Sequence, residues 1–187
     1  MEKINDIPKR TTSWVHKDLK LKESKINGLG LFATKDIAKG EIISVFGGKI
    51  YTSSEIDRLP ETSNIVNVVT QVNEDFFIGP LDDSQNEWGY YINHSCDPNC
   101  KIYRSILLIA IKDVGVGDEI TFDYAHSHNK LLDFKCNCKS VNCRKFIANN
   151  DYDNENYQKN NYKYFTEWIK EKIMSSKKKP PDPKTNL

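Results

Sequence analysis

The stretch Asn93–Cys100, NHSCDPNC, places an amide, an imidazole, a hydroxyl and two thiols within eight residues. Side chains of these types bind ligands, metals or one another. The stretch precedes an apolar run, ILLIAI at 106–111, which predicts a buried strand. The question is which site these polar groups form beside a core. Two further stretches bear on the answer, NGLGLFA at 27–33 and CNCKSVNC at 136–143.

The chain of 187 residues is long enough for one domain with a hydrophobic core and some flanking segments. Its longest apolar run, at 106–111, is far shorter than the roughly 20 residues that a transmembrane helix needs. The N-terminal sequence MEKINDIPKR lacks the apolar core of a signal peptide. We therefore expect an intracellular protein, nuclear or cytoplasmic, with no membrane partner.

The formal net charge of +1 hides an uneven distribution of charged side chains. Residues 26–150 carry 12 Lys or Arg and 16 Asp or Glu, whereas both ends of the chain are basic. An acidic body disfavours duplex nucleic acid as a ligand and favours a cationic partner. We therefore expect a protein or peptide substrate with a basic, lysine-containing segment, and no sequence-specific binding of nucleic acid. A solvated acidic surface is the alternative interpretation.

Short apolar segments separated by turn residues predict a β-rich protein. DLKLKES at 18–24 alternates like an edge strand, and residues 30–46 predict two strands around a turn at Lys39-Gly40. A short helix is predicted within 51–67, capped by Ser53 or Ser54 and ending before Pro60. Further strands are predicted within 68–79, 105–114 and 119–125.

The end of the chain differs in composition from the rest. Residues 149–161, NNDYDNENYQKNN, predict a polar linker with little to bury. The helical spacing of Phe165, Trp168, Ile169 and Ile173 then predicts one amphipathic helix. The predicted segments are an N-terminal flank (1–17), a main domain (18–126), a cysteine-rich loop (127–147), a polar linker (148–161), an amphipathic helix (162–174) and a basic disordered tail (175–187).

The five cysteines point to a metal site. Three of them, Cys136, Cys138 and Cys143, form a C-x-C-x4-C array. An odd and crowded set favours a metal in a reducing compartment over a disulfide framework. Tetrahedral zinc takes four ligands, so one more must come from elsewhere. The candidates for this fourth ligand are Cys96, Cys100, His126 and His128, and free buried cysteines are the alternative to a metal.

Four stretches in this order resemble those of SET-domain protein lysine methyltransferases that carry a post-SET zinc-binding loop. They are SKINGLGLFATKDIAKGEII at 24–43, INHSCDPNC at 92–100, GDEITFDYA at 117–125 and CNCKSVNCRKFI at 136–147. The resemblance covers roughly residues 18–147 and implies a mainly β, β-rich α+β fold. Small antiparallel sheets are expected, with a pseudoknot-like threaded closure that places the NHSC and FDY segments side by side, plus the C-terminal helix.

The resemblance also implies two cofactors, S-adenosylmethionine and Zn²⁺. We hypothesise that Cys96 is the fourth zinc ligand, beside Cys136, Cys138 and Cys143. The residues expected to bind S-adenosylmethionine are Gly28, Leu29 and Gly30 at its methionine end, Asn93 and His94 at its amino-acid and adenine parts, and Phe146 or Ile147 over the adenine.

Methyl transfer from a sulfonium to an amine is an in-line displacement that needs an aligned and uncharged amine. Presenting lysine uncharged near pH 7.4 costs about 4 kcal/mol, which an apolar aromatic channel partly offsets. The motif match assigns Phe122 and Tyr91 to such a channel, with Tyr124 as the catalytic residue that orients the amine and the methyl group. Because Phe122 lacks the hydroxyl of the tyrosine found in some relatives, we expect a di- or trimethyl-lysine product.

Two departures from the pattern concern the same site. SVFGGK at 44–49 has Val45 and Gly48 where relatives carry Tyr and Glu, and Tyr90 stands where Arg is common. Three interpretations follow. The chain is a lysine methyltransferase acting on histone-like basic tails, a catalytically weak SET-like module that binds peptide or cofactor, or a small zinc protein that binds nucleic acid. The acidic core and the absence of a recognition-helix spacing disfavour the third.

Overall fold

The computed structural model describes residues 6–177 of the chain. Its strands are β1 (Trp14–Val15), β2 (Leu19–Glu23), β3 (Leu29–Ala33), β4 (Ile42–Val45), β5 (Lys49–Thr52), β6 (Thr70–Gln71), β7 (Phe76–Gly79), β8 (Asn93–His94), β9 (Cys100–Tyr103), β10 (Leu107–Ala110), β11 (Thr121–Phe122), β12 (Phe134–Lys135) and β13 (Phe146–Ile147). Its helices are α1 (Ser53–Ile56), α2 (Ile65–Val68), α3 (Glu155–Asn161) and α4 (Glu167–Lys177).

The largest sheet has six strands in the order β1-β4-β10-β9-β11-β8. Its first four strands pair antiparallel, whereas β11 pairs parallel with both β8 and β9. Strand β11 therefore lies between two strands that directly follow one another in the chain. The smaller sheets are β2-β3, β5-β7-β6 and β12-β13. The predicted fold class, small sheets with a threaded closure and a C-terminal helix, is confirmed.

Asn99 holds this closure together with its side chain. Its Nδ2 donates a hydrogen bond to the backbone oxygen of Glu119 at 2.8 Å, and its Oδ1 accepts one from the backbone nitrogen of Thr121 at 2.9 Å. Buried backbone groups need such partners, and an amide side chain supplies both a donor and an acceptor. The last residue of NHSCDPN thus joins the two motifs that the sequence keeps about 20 residues apart.

The hydrophobic core has one main cluster and two smaller ones. Leu31, Ile43 and Leu108 are fully buried in the main cluster, while Phe77 anchors a second cluster beside the three-stranded sheet. Strand β10 buries Leu108 and Ala110 on one face and leaves its other face half-buried. The apolar run at 106–111 is therefore buried on one side only, as in an antiparallel sheet with one covered face.

The N-terminal flank predicted for 1–17 contributes to the main domain. Ile7 and Val15 lie in the main cluster, and β1 pairs with β4. The fully buried carboxylate of Glu87 accepts hydrogen bonds from the backbone nitrogens of Thr12 and Ser13, at 2.9 and 3.1 Å. A boundary after residue 17 therefore does not separate a flank from the core, because the contacts that hold residues 7–15 come from distant parts of the chain.

The predicted helix within 51–67 begins at Ser53, and its cap is Thr52 rather than Ser53 or Ser54. The Thr52 hydroxyl accepts from the backbone nitrogen of Glu55, whose carboxylate accepts from the backbone nitrogen of Thr52. This reciprocal pair is a capping box, which needs Glu at the third helical position. Only Thr52 has a Glu at that spacing, which explains the shift by one residue.

The prediction that residues 148–161 form a polar linker with little to bury is wrong. A 3-10 turn covers Asp151–Asp153, and α3 follows, capped by the side chain of Asn154. The composition was misleading because Tyr157 of α3 is anchored by side chains distant in sequence. The next helix begins at Glu167, after a 3-10 turn over Tyr162–Tyr164.

Three of the four apolar residues predicted to form one face of the last helix are buried together, although Phe165 precedes the helix in the chain. Phe165, Ile169 and Ile173 are buried in one cluster, and Trp168 packs against it. Residues 175–177 of the predicted disordered tail form the last turn of α4, and residues 178–187 lie outside the described part of the chain. Among the residues that are described, none belongs to a helix with the length and apolar character that crossing a bilayer requires.

Candidate active site

Asn93 in β8 links the glycine turn at 28–30 to the FDY segment. Its Nδ2 lies 2.9 Å from the backbone oxygen of Leu29 and 2.7 Å from Glu119 Oε1. The Ser24 hydroxyl donates to the same carboxylate at 2.8 Å. Glu119, which the sequence analysis did not single out, is therefore the acceptor that joins three separate motifs.

The two glycines of this turn are required for different reasons. Gly28 has φ +46°, in the left-handed region that glycine adopts at little cost. A Cβ on Gly30 would clash with the Glu119 carboxylate and would lie 3.2 Å from Asn93 Nδ2. The turn can therefore approach the carboxylate closely only because residue 30 has no side chain.

An open cleft of about 490 Å³ adjoins Asn93 and His94. Of the residues predicted to bind a cofactor, Asn93 and His94 line this cleft, whereas residues 28–30 are not among its described lining residues. Ile26 and Asn27, which were not predicted, line it just before the glycine turn. Among the described residues, Phe146 and Ile147 do not belong to its lining. Phe134 lines it instead, because β12 pairs with β13 and places Phe134 opposite Ile147. No local sequence signal identifies Phe134.

A second, smaller cavity of about 60 Å³ also adjoins Tyr124, and we name it the channel. Phe122, Tyr124 and His128 form its aromatic wall, with ring centroids of Phe122 and Tyr124 4.7 Å apart. Tyr124 and Leu132 line both this channel and the open cleft. Val66, Asn67 and Leu131 also line both cavities, so the two adjoin along several residues. One of these is Tyr124, which the sequence predicted to be catalytic.

Tyr90, not Tyr91, lines the channel within the described residues. The backbone forms a 3-10 turn over Trp88–Tyr90, so side chains there do not alternate as they do along a strand. The Tyr91 hydroxyl instead accepts a hydrogen bond from Asn86 Nδ2 at 2.8 Å, outside the channel. The structure therefore places Tyr90, one of the two departures from the family pattern, in the lining of this cavity, and not the predicted Tyr91.

Tyr124 is held at both its backbone and its hydroxyl. The hydroxyl donates to the backbone oxygen of Ile92 at 2.9 Å, and the backbone nitrogen donates to His94 Nδ1 at 3.2 Å. Burial, followed by the charge of Glu119, raises the pKa of Tyr124 well above its usual value. The phenol is therefore neutral, with the lone pairs of its oxygen able to accept a further hydrogen bond.

His128 is a channel residue that the sequence analysis considered only as a zinc ligand. Its Nε2 accepts a hydrogen bond from the backbone nitrogen of Gln71 at 3.1 Å, and its Nδ1 lies 2.8 Å from the Ser127 hydroxyl. Burial lowers the pKa of His128 to about 4. A neutral imidazole in this fixed orientation offers the channel an uncharged wall.

The four cysteines predicted as metal ligands lie together. The sulfur atoms of Cys96, Cys136, Cys138 and Cys143 all lie within 4.8 Å of one another, and those of Cys96 and Cys136 are 3.9 Å apart. Tetrahedral zinc with Zn–S bonds of about 2.3 Å separates sulfurs by roughly 3.8 Å. The backbone nitrogen of Arg144 lies 3.4 Å from Cys96 Sγ, as suits a thiolate. The donor set therefore fits zinc.

The other candidates for the fourth ligand lie outside this cluster, considering residues 6–177. Cys100 is fully buried in the main hydrophobic cluster. His128 uses its Nε2 to bind Gln71, and the His126 ring packs among aromatic side chains. The fold separates two cysteines that lie only four residues apart in the sequence: Cys96 is in the connection between β8 and β9, and Cys100 is the first residue of β9.

Residues 28–125 match the family model of the SET domain. Similar curated proteins include the variant-silencing SET domain-containing protein of Plasmodium falciparum, 31% identical over 70% of this chain and 6% of that protein. The probable histone-lysine N-methyltransferase set-23 of Caenorhabditis briggsae is 31% identical over 71% of this chain and 61% of its own length. Histone-lysine N-methyltransferase 2D of Homo sapiens is 30% identical over 73% of this chain and 3% of its own length.

The fold and these matches agree on the class of protein. This chain belongs to the SET-domain family. It spans between 3% and 61% of the length of the three curated relatives named above.

Proposed function

We propose that this chain is an S-adenosylmethionine-dependent protein-lysine N-methyltransferase that acts on lysines in histone-like basic segments. The observation that carries this proposal is the position of Tyr124, where an open cleft and a narrow aromatic channel meet. Two reactants that occupy these adjoining cavities can align beside Tyr124 for an in-line displacement. Relatives named histone-lysine N-methyltransferases support this substrate class. The proposed location of the chain is accordingly nuclear or cytoplasmic.

The open cleft fits S-adenosylmethionine in size and in polar groups. Its volume of about 490 Å³ lies within the range of ligand pockets. Asn93 and His94 would hold polar parts of the ligand, and Phe134 would offer an apolar face to its adenine ring. When bound there, S-adenosylmethionine supplies a methyl group on a sulfonium.

The channel supports the use of an uncharged lysine amine. Phe122 and the neutral ring of His128 form walls that disfavour an ammonium ion, which lowers the cost of deprotonation. The Tyr124 hydroxyl donates to Ile92, so its oxygen can accept a hydrogen bond from the amine. Tyr124 therefore orients the amine rather than removing its proton, because its own pKa is raised.

The direct experiment is transfer of labelled methyl groups from S-adenosylmethionine onto core histones and a peptide array. We expect label on lysine residues of basic peptides, located by mass spectrometry. Cofactor binding without transfer to any peptide would instead support the catalytically weak SET-like module. Binding of duplex DNA in a shift assay, with no methyl transfer, would support the nucleic-acid interpretation.

The departure at SVFGGK has a packing cause. Gly48, at the position where relatives carry Glu, has φ +125°, and a Cβ there would clash with the backbone of Gly79. A Cβ on Gly47 would clash with the backbone of Thr12. The departure at SVFGGK therefore follows from close packing of β7 and the N-terminal segment against this turn.

Substitution of Asn93 by alanine is expected to weaken S-adenosylmethionine binding by about tenfold or more. The change removes an amide that lines the cleft and holds Leu29 and Glu119 in place. Loss of one hydrogen bond of about 1–1.5 kcal/mol to the ligand corresponds to roughly tenfold in affinity. Calorimetry measures the affinity, and Asn156→Ala, at an exposed position of α3, serves as the control. Wild-type affinity in Asn93→Ala would remove Asn93 from the binding site.

The number of methyl groups transferred is expected to depend on Phe122. Its ring lies 4.7 Å from that of Tyr124 and lines the channel. A hydroxyl added by Phe122→Tyr gains a hydrogen bond of about 0.5–1.5 kcal/mol to the amine or to a water, which restricts rotation of a methylated amine. We expect di- or trimethyl-lysine from the wild type and mainly monomethyl-lysine from the variant.

Mass spectrometry of a substrate peptide after long incubation measures this product distribution. Phe76→Tyr provides a matched control, since Phe76 is exposed and lies outside the channel lining among the described residues. If the wild type stops at one methyl group, or Phe122→Tyr proceeds as far as the wild type, Phe122 does not set the product.

We also propose that one zinc ion occupies the four-cysteine cluster. Four thiolates complete a tetrahedral site with no open position, which is typical of a structural zinc. Cys136 and Phe134 of the same loop line the open cleft. Zinc would therefore fix one wall of the S-adenosylmethionine site.

A further inference from the structure

The 3-10 turn Tyr124–His126 is held from two opposite sides. Towards the main core, Tyr124 binds Ile92 and His94 as described above. Towards the other side, the turn contacts residues 151–177, which we name the C-terminal segment. This segment follows the SET-domain match, which ends at residue 125. Its contacts with the turn are therefore features beyond the shared domain.

Asp123, directly before the turn, is the first point of contact. Its carboxylate caps the turn by accepting from the backbone nitrogen of Ala125 at 3.1 Å. The same carboxylate accepts two hydrogen bonds from Arg144, at 2.6 and 2.8 Å, and one from the Tyr157 hydroxyl at 2.7 Å. Tyr157 belongs to the C-terminal segment, so α3 reaches directly to the residue that caps the catalytic turn.

The carboxylate of Asp123 is charged although it is 1% exposed. Burial alone would raise the pKa of Asp123, but His126 and the hydrogen bonds from Arg144 outweigh it and lower this pKa to about 2. A buried charge needs its hydrogen bonds, so their geometry fixes the orientation of the carboxylate. The Tyr157 hydroxyl is one of the groups that set this orientation.

His126, at the end of the turn, is the second point of contact. Its ring stacks on that of Tyr157, with centroids 5.9 Å apart, and meets the ring of Phe165 at 5.6 Å. Its backbone oxygen accepts a hydrogen bond from the backbone nitrogen of Thr166 at 2.9 Å. Phe165 in turn belongs to the buried cluster with Ile169 and Ile173. The turn is thus anchored to a packed part of the C-terminal segment.

We propose that the C-terminal segment is a positioning element of the active site. Through Tyr157 it fixes the carboxylate of Asp123, and through Asp123 it fixes the turn that presents the Tyr124 hydroxyl to the channel. Tyr157 is a positioning residue, because it acts on Tyr124 through Asp123. The proposal rests on the proposed methyltransferase function for its effect on the rate, whereas its effect on the turn is independent of that function.

The test is the full chain carrying Tyr157→Phe, which keeps the ring on His126 and removes only the hydroxyl. We expect kcat to fall roughly tenfold, because a misplaced orienting group lowers the rate, while the peptide KM stays within about twofold. Amide hydrogen exchange at Ala125 is expected to accelerate roughly tenfold, because the turn opens more often. The matched control is Tyr162→Phe, which alters a half-exposed tyrosine of the same segment.

Each outcome decides the proposal. One outcome is a normal kcat, measured at a temperature at which the variant is folded, together with unchanged exchange at Ala125. It would mean that Tyr157 only stabilises the fold, and it overturns the proposal. A raised peptide KM with normal kcat means that the segment binds substrate, and also overturns it. If the wild-type protein transfers no methyl group, the proposed function fails, and faster exchange in Tyr157→Phe still supports the positioning of the turn.

Discussion

Replacement of Tyr124 by phenylalanine is expected to lower kcat by about 100-fold or more while the fold survives. The substitution removes one hydroxyl that donates to Ile92 at 2.9 Å at the junction of the cleft and the channel. Misplacement of a reacting group by about 1 Å can cost roughly 100-fold in rate. The rings of Phe122 and His128 would still pack against the phenyl ring, so the core would lose little contact.

Single-turnover kinetics with a substrate peptide measures this effect, and thermal unfolding reports whether the variant is folded. The affinity for S-adenosylhomocysteine should change by less than about threefold, since the hydroxyl acts on the amine rather than on the cofactor. Tyr103→Phe, which alters an exposed tyrosine at the end of β9, is the matched control. A folded Tyr124→Phe protein with a rate near that of the wild type would show that this hydroxyl does not orient the reactants.

Loss of the four-cysteine site is expected to weaken cofactor binding by about the same factor by which Tyr124→Phe lowers kcat. Substitution of Cys96 by serine should remove bound zinc and weaken S-adenosylhomocysteine affinity by about 100-fold or more. The binding energy of a structural zinc is also folding energy for the segment that it closes. Here that segment carries Phe134 and Cys136, which form one wall of the open cleft.

Metal analysis and calorimetry test this prediction without any measurement of activity. Cys100→Ser should retain one zinc per chain, because the Cys100 side chain lies in the main hydrophobic cluster. Treatment of the wild type with a chelator should weaken the same affinity, and added zinc should restore it. A full zinc equivalent in Cys96→Ser, together with its loss in Cys100→Ser, would identify Cys100 as the ligand instead.

The residues of the candidate site that the sequence predicted share one property, namely that they lie within contiguous motifs. Asn93 and His94 line the cleft, and Tyr124 lies at its junction with the channel. The four cysteines form one cluster. Short spacings within NHSC, FDY and CNCKSVNC limit where these side chains can lie relative to their own backbone. Their roles in binding and catalysis remain predictions until the variants above are measured.

The amphipathic helix at the end of the chain illustrates the same principle for secondary structure. The spacing of Ile169 and Ile173 within the helix is a local property of the sequence, and both residues are buried in one cluster together with Phe165, which precedes the helix. The edge strand β2 likewise follows from alternation in LKLKE, with Leu19 and Leu21 buried. Both patterns can be read without knowledge of any distant residue.

The tertiary structure alone decided the contacts between distant segments. It placed Phe134 at the cleft, because β12 pairs with β13. It also placed Tyr90 in the channel lining instead of the predicted Tyr91, because the backbone there forms a 3-10 turn. Part of the predicted polar linker is a docked helix, because the Tyr157 hydroxyl donates a hydrogen bond to Asp123, 34 residues away in the sequence. A buried carboxylate gains a partner only when the chain has folded around it. The composition of 149–161 therefore carries no sign of this contact, and the fold supplies it.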